Sequence, residues 1–233
     1  MTPRQAQILA SIVETYAQTA EPVGSLALSQ QMTYSPATIR AEMMALEQTG
    51  LITHPHTSAG RVPTDQGYRH YVNNLGTPAT NRRIEYALTK RISGAGPADE
   101  AIKTAASSLS ELTHNLGLAT LSQGVFTAGL TQLFSQPEFS DHLAARQTYE
   151  VSRLLDSLDQ WLVEAAPTGR VSVYIGAENP IGKSSGCSLI VSRFSSPYSD
   201  RSYIGVLGPT RQNYNQVIGL VDYASRILEE ELV

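Results

Sequence analysis

His54–Tyr71 reads HPHTSAGRVPTDQGYRHY, and this run says more about the architecture of the N-terminal part of the chain than any other. It is poor in large apolar side chains, so it is not a core element. It is rich in groups that meet phosphates and base edges: His54, His56, Thr57, Ser58 and Arg61. Pro55, Gly60 and Pro63 impose a defined loop path. Leu51–Thr53 and Arg61–Pro63 can pair as short strands around the loop. Before them stands SPATIRAEMMALEQTG, Ser35–Gly50. Ser35 caps this helix, Pro36 sits in its first turn, Ile39, Met43 and Leu46 form its buried stripe, and Gly50 ends it.

Working outward, Thr2 caps a first helix with Pro3 in its first turn. Ile8, Leu9, Ile12, Val13 and Tyr16 recur in it at helical spacing through Thr19. Glu21–Gly24 is a turn. Ser25 caps a second, short helix that offers Leu26 and Leu28 for burial. Asp65–Leu75 starts another helix, with Tyr68, Tyr71 and Val72 turned inward. Helix, helix, helix, hairpin is the order of a winged helix-turn-helix.

The buried stripe of the third helix leaves Ala37, Arg40, Ala41 and Met44 facing out, with Thr38 near the edge. Small side chains there let a helix sit deep in a major groove. Thr38 and Arg40 can reach base edges or phosphate, and the helix start at Ser35 offers a phosphate site. An ordinary solvated helix explains the face equally well until the wing behind it is counted. In the wing, Arg61 is the expected minor-groove or phosphate contact, Thr57 and Ser58 offer hydroxyls, and His54 and His56 flank them. A metal role for the two histidines fails for want of a third ligand nearby. Met1–Leu75 holds Arg4, Arg40, Arg61 and Arg69 against Glu14, Glu21, Glu42, Glu47 and Asp65. The segment is not basic, so affinity per copy is modest and leans on dimerisation.

Gly76–Thr80 and Gly94–Pro97 are breakers around a charged helical piece, Asn81–Ile92. Ala101–Leu121 reads as a weakly amphipathic helix through Ile102, Ala105, Leu109, Leu112 and Leu116. Gly124–Phe139 is mixed. Asp141–Val163 is a long helix on Leu143, Val151, Leu154, Leu155, Leu158 and Leu162. Strands follow at Val171–Ile175, Gly186–Phe194 and Ser202–Leu207, with a break at Gly208–Thr210. A closing helix, Tyr214–Leu232, carries Val217, Ile218, Val221, Tyr223 and Leu228. The fold class is α+β: a winged-helix DNA-binding domain over 1–75, a linker with a short helix over 76–98, and a small α+β domain with an antiparallel sheet and long helices over 99–233.

The chain has 233 residues, 41% hydrophobic, with a formal net charge of -4. That is enough to pack cores, and it counts against binding nucleic acid by bulk charge while leaving a local basic face open. Lysine occurs only at Lys90, Lys103 and Lys183, so positive charge is mostly arginine, which suits bidentate contacts. Cys187 is the single cysteine, which excludes an intramolecular disulfide and a thiolate zinc cluster. No apolar run reaches a membrane span, and the N-terminus lacks a secretory layout, so a cytoplasmic protein is expected, nucleoid-associated when bound to DNA. Tyr174–Asn179, Gly186–Phe194 and Gly205–Tyr214 are glycine-containing. Such glycines more often serve turns, and no P-loop lysine completes a phosphate cradle. Cys187 opens an apolar strand, as a structural thiol does. Nothing assembles a nucleophile with a base, so neither catalysis nor a metal or other cofactor is expected.

Eight segments together resemble one known family: EPVGSLALSQQM, SPATIRAEMMALEQTGLI, HPHTSAGRVPT with GYRHYV after it, LFSQPEF, YIGAENP, CSLIVSRF and GVLGPTR. The chain is similar to the heat-inducible transcription repressor HrcA family over nearly its whole length. The resemblance implies a dimeric repressor with an N-terminal winged helix and a GAF-like C-terminal domain. It implies binding to the inverted repeat called CIRCE upstream of chaperone operons, with the chaperonin GroEL supporting the active form. GAF-like folds often hold ligands, so a regulator whose C-terminal domain senses a small molecule is the alternative. Family members are usually roughly a hundred residues longer. The shortfall falls between LTHNLGLATL and GVFTAGLTQLFSQPEF, and it leaves an expected C-terminal sheet of about three strands. Pro36, Ala41 and Glu42 stand where serine, asparagine and aspartate are usual, and Gln212 replaces a usual methionine. Ala41 thereby lacks a side chain able to bond a base.

Overall fold

The computed structural model describes residues 1–56, 59–78, 80–140, 144–164, 169–179 and 183–232. Thr57 and Ser58 of the wing, and Leu143, lie outside the described residues. The chain divides into two compact units, Met1–Thr77 with Arg211–Asn213, and Pro78–Thr210 with Tyr214–Val233.

The first unit opens with α1 (Pro3–Thr19). The Thr2 hydroxyl accepts from the Gln5 amide and the Gln5 side chain accepts from the Thr2 amide, a reciprocal cap. Ile8, Leu9, Ile12 and Val13 are buried, as their spacing requires. α2 (Ser25–Gln31) is capped by Gly24 without a side-chain bond, so Ser25 is its first residue and not its cap. Leu28 is buried, whereas Leu26 is 66% exposed, because a two-turn helix presents one narrow face to the core and Leu26 is off it. α3 (Pro36–Gln48) buries Ile39, Met43 and Leu46. Its end is closed by bonds from the Gly50 amide to the Glu47 carbonyl and from the Leu51 amide to the Leu46 carbonyl.

β1 (Ile52–Thr53) and β2 (Val62–Pro63) pair antiparallel, with Ile52 opposite Pro63 and Thr53 opposite Val62. α4 (Asp65–Asn73) is capped by the Thr64 hydroxyl and buries Tyr68 and Tyr71 against α1, while Val72 is half-buried. The Tyr71 hydroxyl donates to Glu14 at 3.0 Å. Burial of this phenol, with the Glu14 carboxylate beside it, raises its pKa. Arg211 donates to the Ala17 carbonyl at 2.9 Å within the same unit.

In the second unit, α5 (Arg82–Ser93) packs Leu88 and Ile92 on α6 (Ala98–Thr113) and on α9 (Tyr214–Leu232), and Thr89 meets the Tyr223 hydroxyl at 2.8 Å. The helix expected to run from Ala101 to Leu121 stops at Thr113. His114 turns left-handed, and Leu116–Leu121 becomes β3. Leu112 belongs to the last turn of α6, and Leu116 in β3 continues its helical spacing only by coincidence. Leu116–Ala119 is buried on both faces, so it lacks the alternation that marks a strand.

β4 (Gly124–Ala128) folds straight back on β3, with Leu121 opposite Gly124. The chain therefore makes a tight hairpin between Leu121 and Gly124. α7 (Leu130–Phe134), a 3-10 turn at Pro137–Phe139 and α8 (Ala144–Glu164) follow. β5 (Val171–Ile175), β6 (Cys187–Ser196) and β7 (Ser199–Pro209) complete an antiparallel sheet ordered β4-β3-β7-β6-β5. Among the described residues it has five strands, not about three. β7 runs through Gly208 to Pro209, so the expected break there is instead the last rung, Cys187 opposite Pro209.

Leu116, Leu118, Cys187, Leu189, Val191 and Leu207 face α8, whose Val151, Leu154, Leu158 and Leu162 fill that layer, with Leu155 partly buried against it. The alternate residues face α6 and α9. There Ser188 bonds the Tyr214 hydroxyl at 2.7 Å and Ser192 meets Ser225 at 2.8 Å. Burial pushes the Cys187 thiol up to about 12, as suits a structural thiol. No helix among the described residues is long and apolar enough to cross a membrane.

Candidate nucleic-acid interface

The amphipathic spacing of α3 places two faces. One is the core stripe at Ile39, Met43 and Leu46. The other carries Ala37, Arg40, Ala41 and Met44, all exposed, with Met44 at 53%. Ser35 is exposed, but its hydroxyl accepts from the Thr38 amide at 3.1 Å and lies 2.9 Å from the Thr38 hydroxyl. Thr38 is half-buried at the edge of the face. No acidic side chain among the described residues pairs with Arg40. Glu42 is drawn the other way, accepting from Arg4 at 3.3 Å and Gln5 at 3.0 Å on α1.

The wing is braced from a third direction. Val23 and Arg61 exchange two backbone hydrogen bonds of 2.9 Å, so the segment before α2 adds a rung beside β2. Gly60 makes that approach possible: a Cβ there would lie 2.6 Å from the backbone of Pro22 and Val23. A groove results between α2, α3 and the wing, lined by Gly24, Ser25, Arg40, Met44, Gly60 and Arg61. It brings together Arg40 and Met44 from the helix and Arg61 from the loop. His56 is exposed, and its carbonyl accepts from the Ala59 amide at 2.9 Å.

Arg61 and His54 are both engaged by Glu47. The Arg61 Nε and a terminal nitrogen donate to Glu47 at 3.0 and 2.9 Å, and its other terminal nitrogen donates to the Ala59 carbonyl at 3.3 Å. His54 Nδ1 meets the second Glu47 carboxylate oxygen. The hydrogen bond from His54, with the Arg61 guanidinium behind it, holds the Glu47 carboxyl below the usual carboxylate range. Sequence reasoning missed Glu47 because an acid near a helix end reads as a solvated charge. The available signal was its position: Glu47 follows Met44 by three on the outward face, where an unpaired acid would repel phosphate.

Two family profiles match the chain. One, described as winged helix-turn-helix transcription repressor, HrcA DNA-binding, covers residues 1–75. The other, HrcA protein C terminal domain, covers residues 66–218. Curated relatives bear the name heat-inducible transcription repressor HrcA. That of Shouchella clausii is 28% identical over 337 aligned positions, covering 100% of this chain and 98% of the relative. That of Cyanothece sp. is 29% identical over 359 positions, covering 100% and 98%. Since this chain has 233 residues, both alignments hold long gaps on its side. That of Bifidobacterium animalis subsp. lactis reaches 45% identity over 121 positions, covering 50% of this chain and 33% of the relative. A solved structure titled as a hypothetical protein at 2.2 A resolution superposes with a TM-score of 0.79 at 17% identity, covering 99% of this chain and 98% of that one. It supports the fold alone.

Proposed function

The chain belongs to the HrcA family of heat-inducible transcription repressors and carries the family's winged-helix DNA-binding domain, and from that premise we propose that two copies bind a CIRCE-type inverted repeat and block transcription of chaperone genes. The observation that carries this reading is the juxtaposition on the first unit of an outward α3 stripe with a groove and a braced wing. In this reading α3 enters the major groove of each half-site. Arg40 and Thr38 meet base edges, while Ala37 and Ala41 allow close approach and Met44 supplies apolar contact. Ser35 lies at the start of α3, where phosphate is favoured. His56, Thr57 and Ser58 meet the backbone or minor groove in this reading, with His54 and Arg61 on either side of them in the sequence.

GroEL supports the active form in this proposal, as the family resemblance implies. Damaged proteins that occupy the chaperonin relieve repression, and the protein works in the cytoplasm on the nucleoid. The test is a mobility shift on a CIRCE-type repeat and on a scrambled duplex, with and without GroEL, alongside a mass measurement of the free and bound protein. Retardation of the repeat alone, by a complex holding two copies and strengthened by GroEL, is expected. Equal retardation of both duplexes would overturn the operator assignment, and indifference to GroEL would overturn the chaperonin role.

A further inference from the structure

We propose that Glu47 is a positioning residue for the DNA-reading surface: one carboxylate at the end of α3 holds both stems of the wing. The proposal rests on the DNA-binding reading above. His54 lies where β1 leaves into the loop, and Arg61 lies just before β2. Both side chains converge on Glu47, Arg61 through two nitrogens at 3.0 and 2.9 Å and His54 through Nδ1. Arg61 then reaches the Ala59 carbonyl inside the loop at 3.3 Å. Each wing strand has only two residues, so their ladder alone leaves the loop weakly held. The clamp fixes the loop relative to the helix whose outward face carries Arg40 and Met44.

An unpaired acid on a DNA-facing surface has a predictable cost. It repels phosphate, and its removal strengthens binding to every duplex. A second role for Glu47 would be to keep Arg61 off the DNA, and freeing Arg61 would also strengthen binding and steepen the salt dependence. A clamp has the opposite sign, because loss of Glu47 frees the wing and the ordering must then occur on binding. The direction of the change therefore separates the three roles.

The experiment uses the full chain and Glu47→Ala, Glu47→Gln, Arg61→Ala and the Glu47→Ala/Arg61→Ala pair. Affinity for the inverted repeat is measured at several salt concentrations, and amide exchange of residues 52–63 is followed without DNA. Glu47→Ala is expected to weaken binding roughly tenfold, the scale of a lost charge-assisted hydrogen bond, with an unchanged salt slope. Arg61→Ala should do the same, and the pair should cost no more than either alone. Glu47→Gln keeps an acceptor for Arg61 and should recover part of the loss. Exchange at Arg61 and its neighbours should quicken in Glu47→Ala while α3 keeps its protection. Tighter binding by Glu47→Ala, additive losses in the pair, or unchanged exchange would each overturn the proposal while the wild type still binds the repeat. Failure of the wild type itself to bind would bring down the operator reading and this proposal with it.

Discussion

Replacing Arg40 with alanine should remove operator discrimination while leaving the fold intact. Arg40 is exposed on α3, and no acidic partner among the described residues holds it, so truncation breaks no ion pair. An exposed helix substitution of this kind costs within about 0.5 kcal/mol of stability. A bidentate contact from arginine to a base edge is worth about 1–3 kcal/mol of discrimination. That corresponds to roughly 5- to 150-fold per half-site at 1.4 kcal/mol per factor of ten. The half-sites of an inverted repeat lie far enough apart for their losses to add, giving about 2–6 kcal/mol for two copies. The assay is an anisotropy titration of labelled repeat and scrambled duplex at two salt concentrations. The expected result is a collapse of the ratio between the two affinities with an unchanged salt slope. A uniform loss on both duplexes, with a slope lower by about 0.9 per copy, would place Arg40 on a phosphate instead. An unaltered ratio would refute the assignment of α3 as the reading helix through this residue.

Further outcomes follow from the packing. Gly67→Ala on α4 would put a methyl 2.0 Å from the Leu51 carbonyl oxygen. It should cost about 1–3 kcal/mol or more by overpacking, seen as a lower unfolding temperature by calorimetry, and an unchanged temperature would contradict the close approach. Leu118→Ala should cost about 2–5 kcal/mol, because β3 is a buried central strand; a loss below about 0.5 kcal/mol would match the discarded helical tail. Cys187, whose folded pKa is pushed from 9.0 to about 12, should resist a thiol reagent at pH 8 until urea unfolds the chain. Because its folded pKa is raised, its contribution is complete below pH 9 and lost as pH climbs toward 12, by up to about 1.4 kcal/mol per unit. Cys187→Ala should flatten that decline in urea titrations, and identical curves would contradict the shift.

What could be read from the chain, and what could not, follows from the range of the interactions. Caps and helical spacing are local, so Thr2 with Gln5, Ser35 with Thr38, and the stripe Ile39–Met43–Leu46 were legible. The wing was legible because Pro, Gly and short strands mark it within a few residues. β3 was not, since a strand buried on both faces loses its period of two and borrowed a helical spacing from Leu109 and Leu112. Its hairpin with β4 was hidden for the same reason, which is why the strand count fell short. Arg61 was legible as important but not as paired. Its partner lies fourteen residues away across a turn, and only the folded loop brings Glu47, His54 and Arg61 together.

The charge distribution explains how an acidic chain can serve as a selective DNA binder. Of the five arginines in the first unit, Arg4 is paired with Glu42 and Arg61 with Glu47, Arg211 donates to the Ala17 carbonyl, and Arg69 is half-buried on α4. Arg40 remains on the outward α3 face. Non-specific affinity comes almost wholly from cations against phosphates, so each copy brings little of it. A weak non-specific term means that competing genomic sites hold back little of the protein. The same economy limits the affinity of one copy for one half-site. In the proposed binding of two copies to a repeat, two weak contacts are linked, and the second is favoured by an effective concentration that a single copy lacks. In such a design the sensitive quantity is the pairing of two copies and the order of each wing, more than any one base contact. A partner that stabilises the paired form would strengthen repression without touching DNA, and loss of that partner would release the operator.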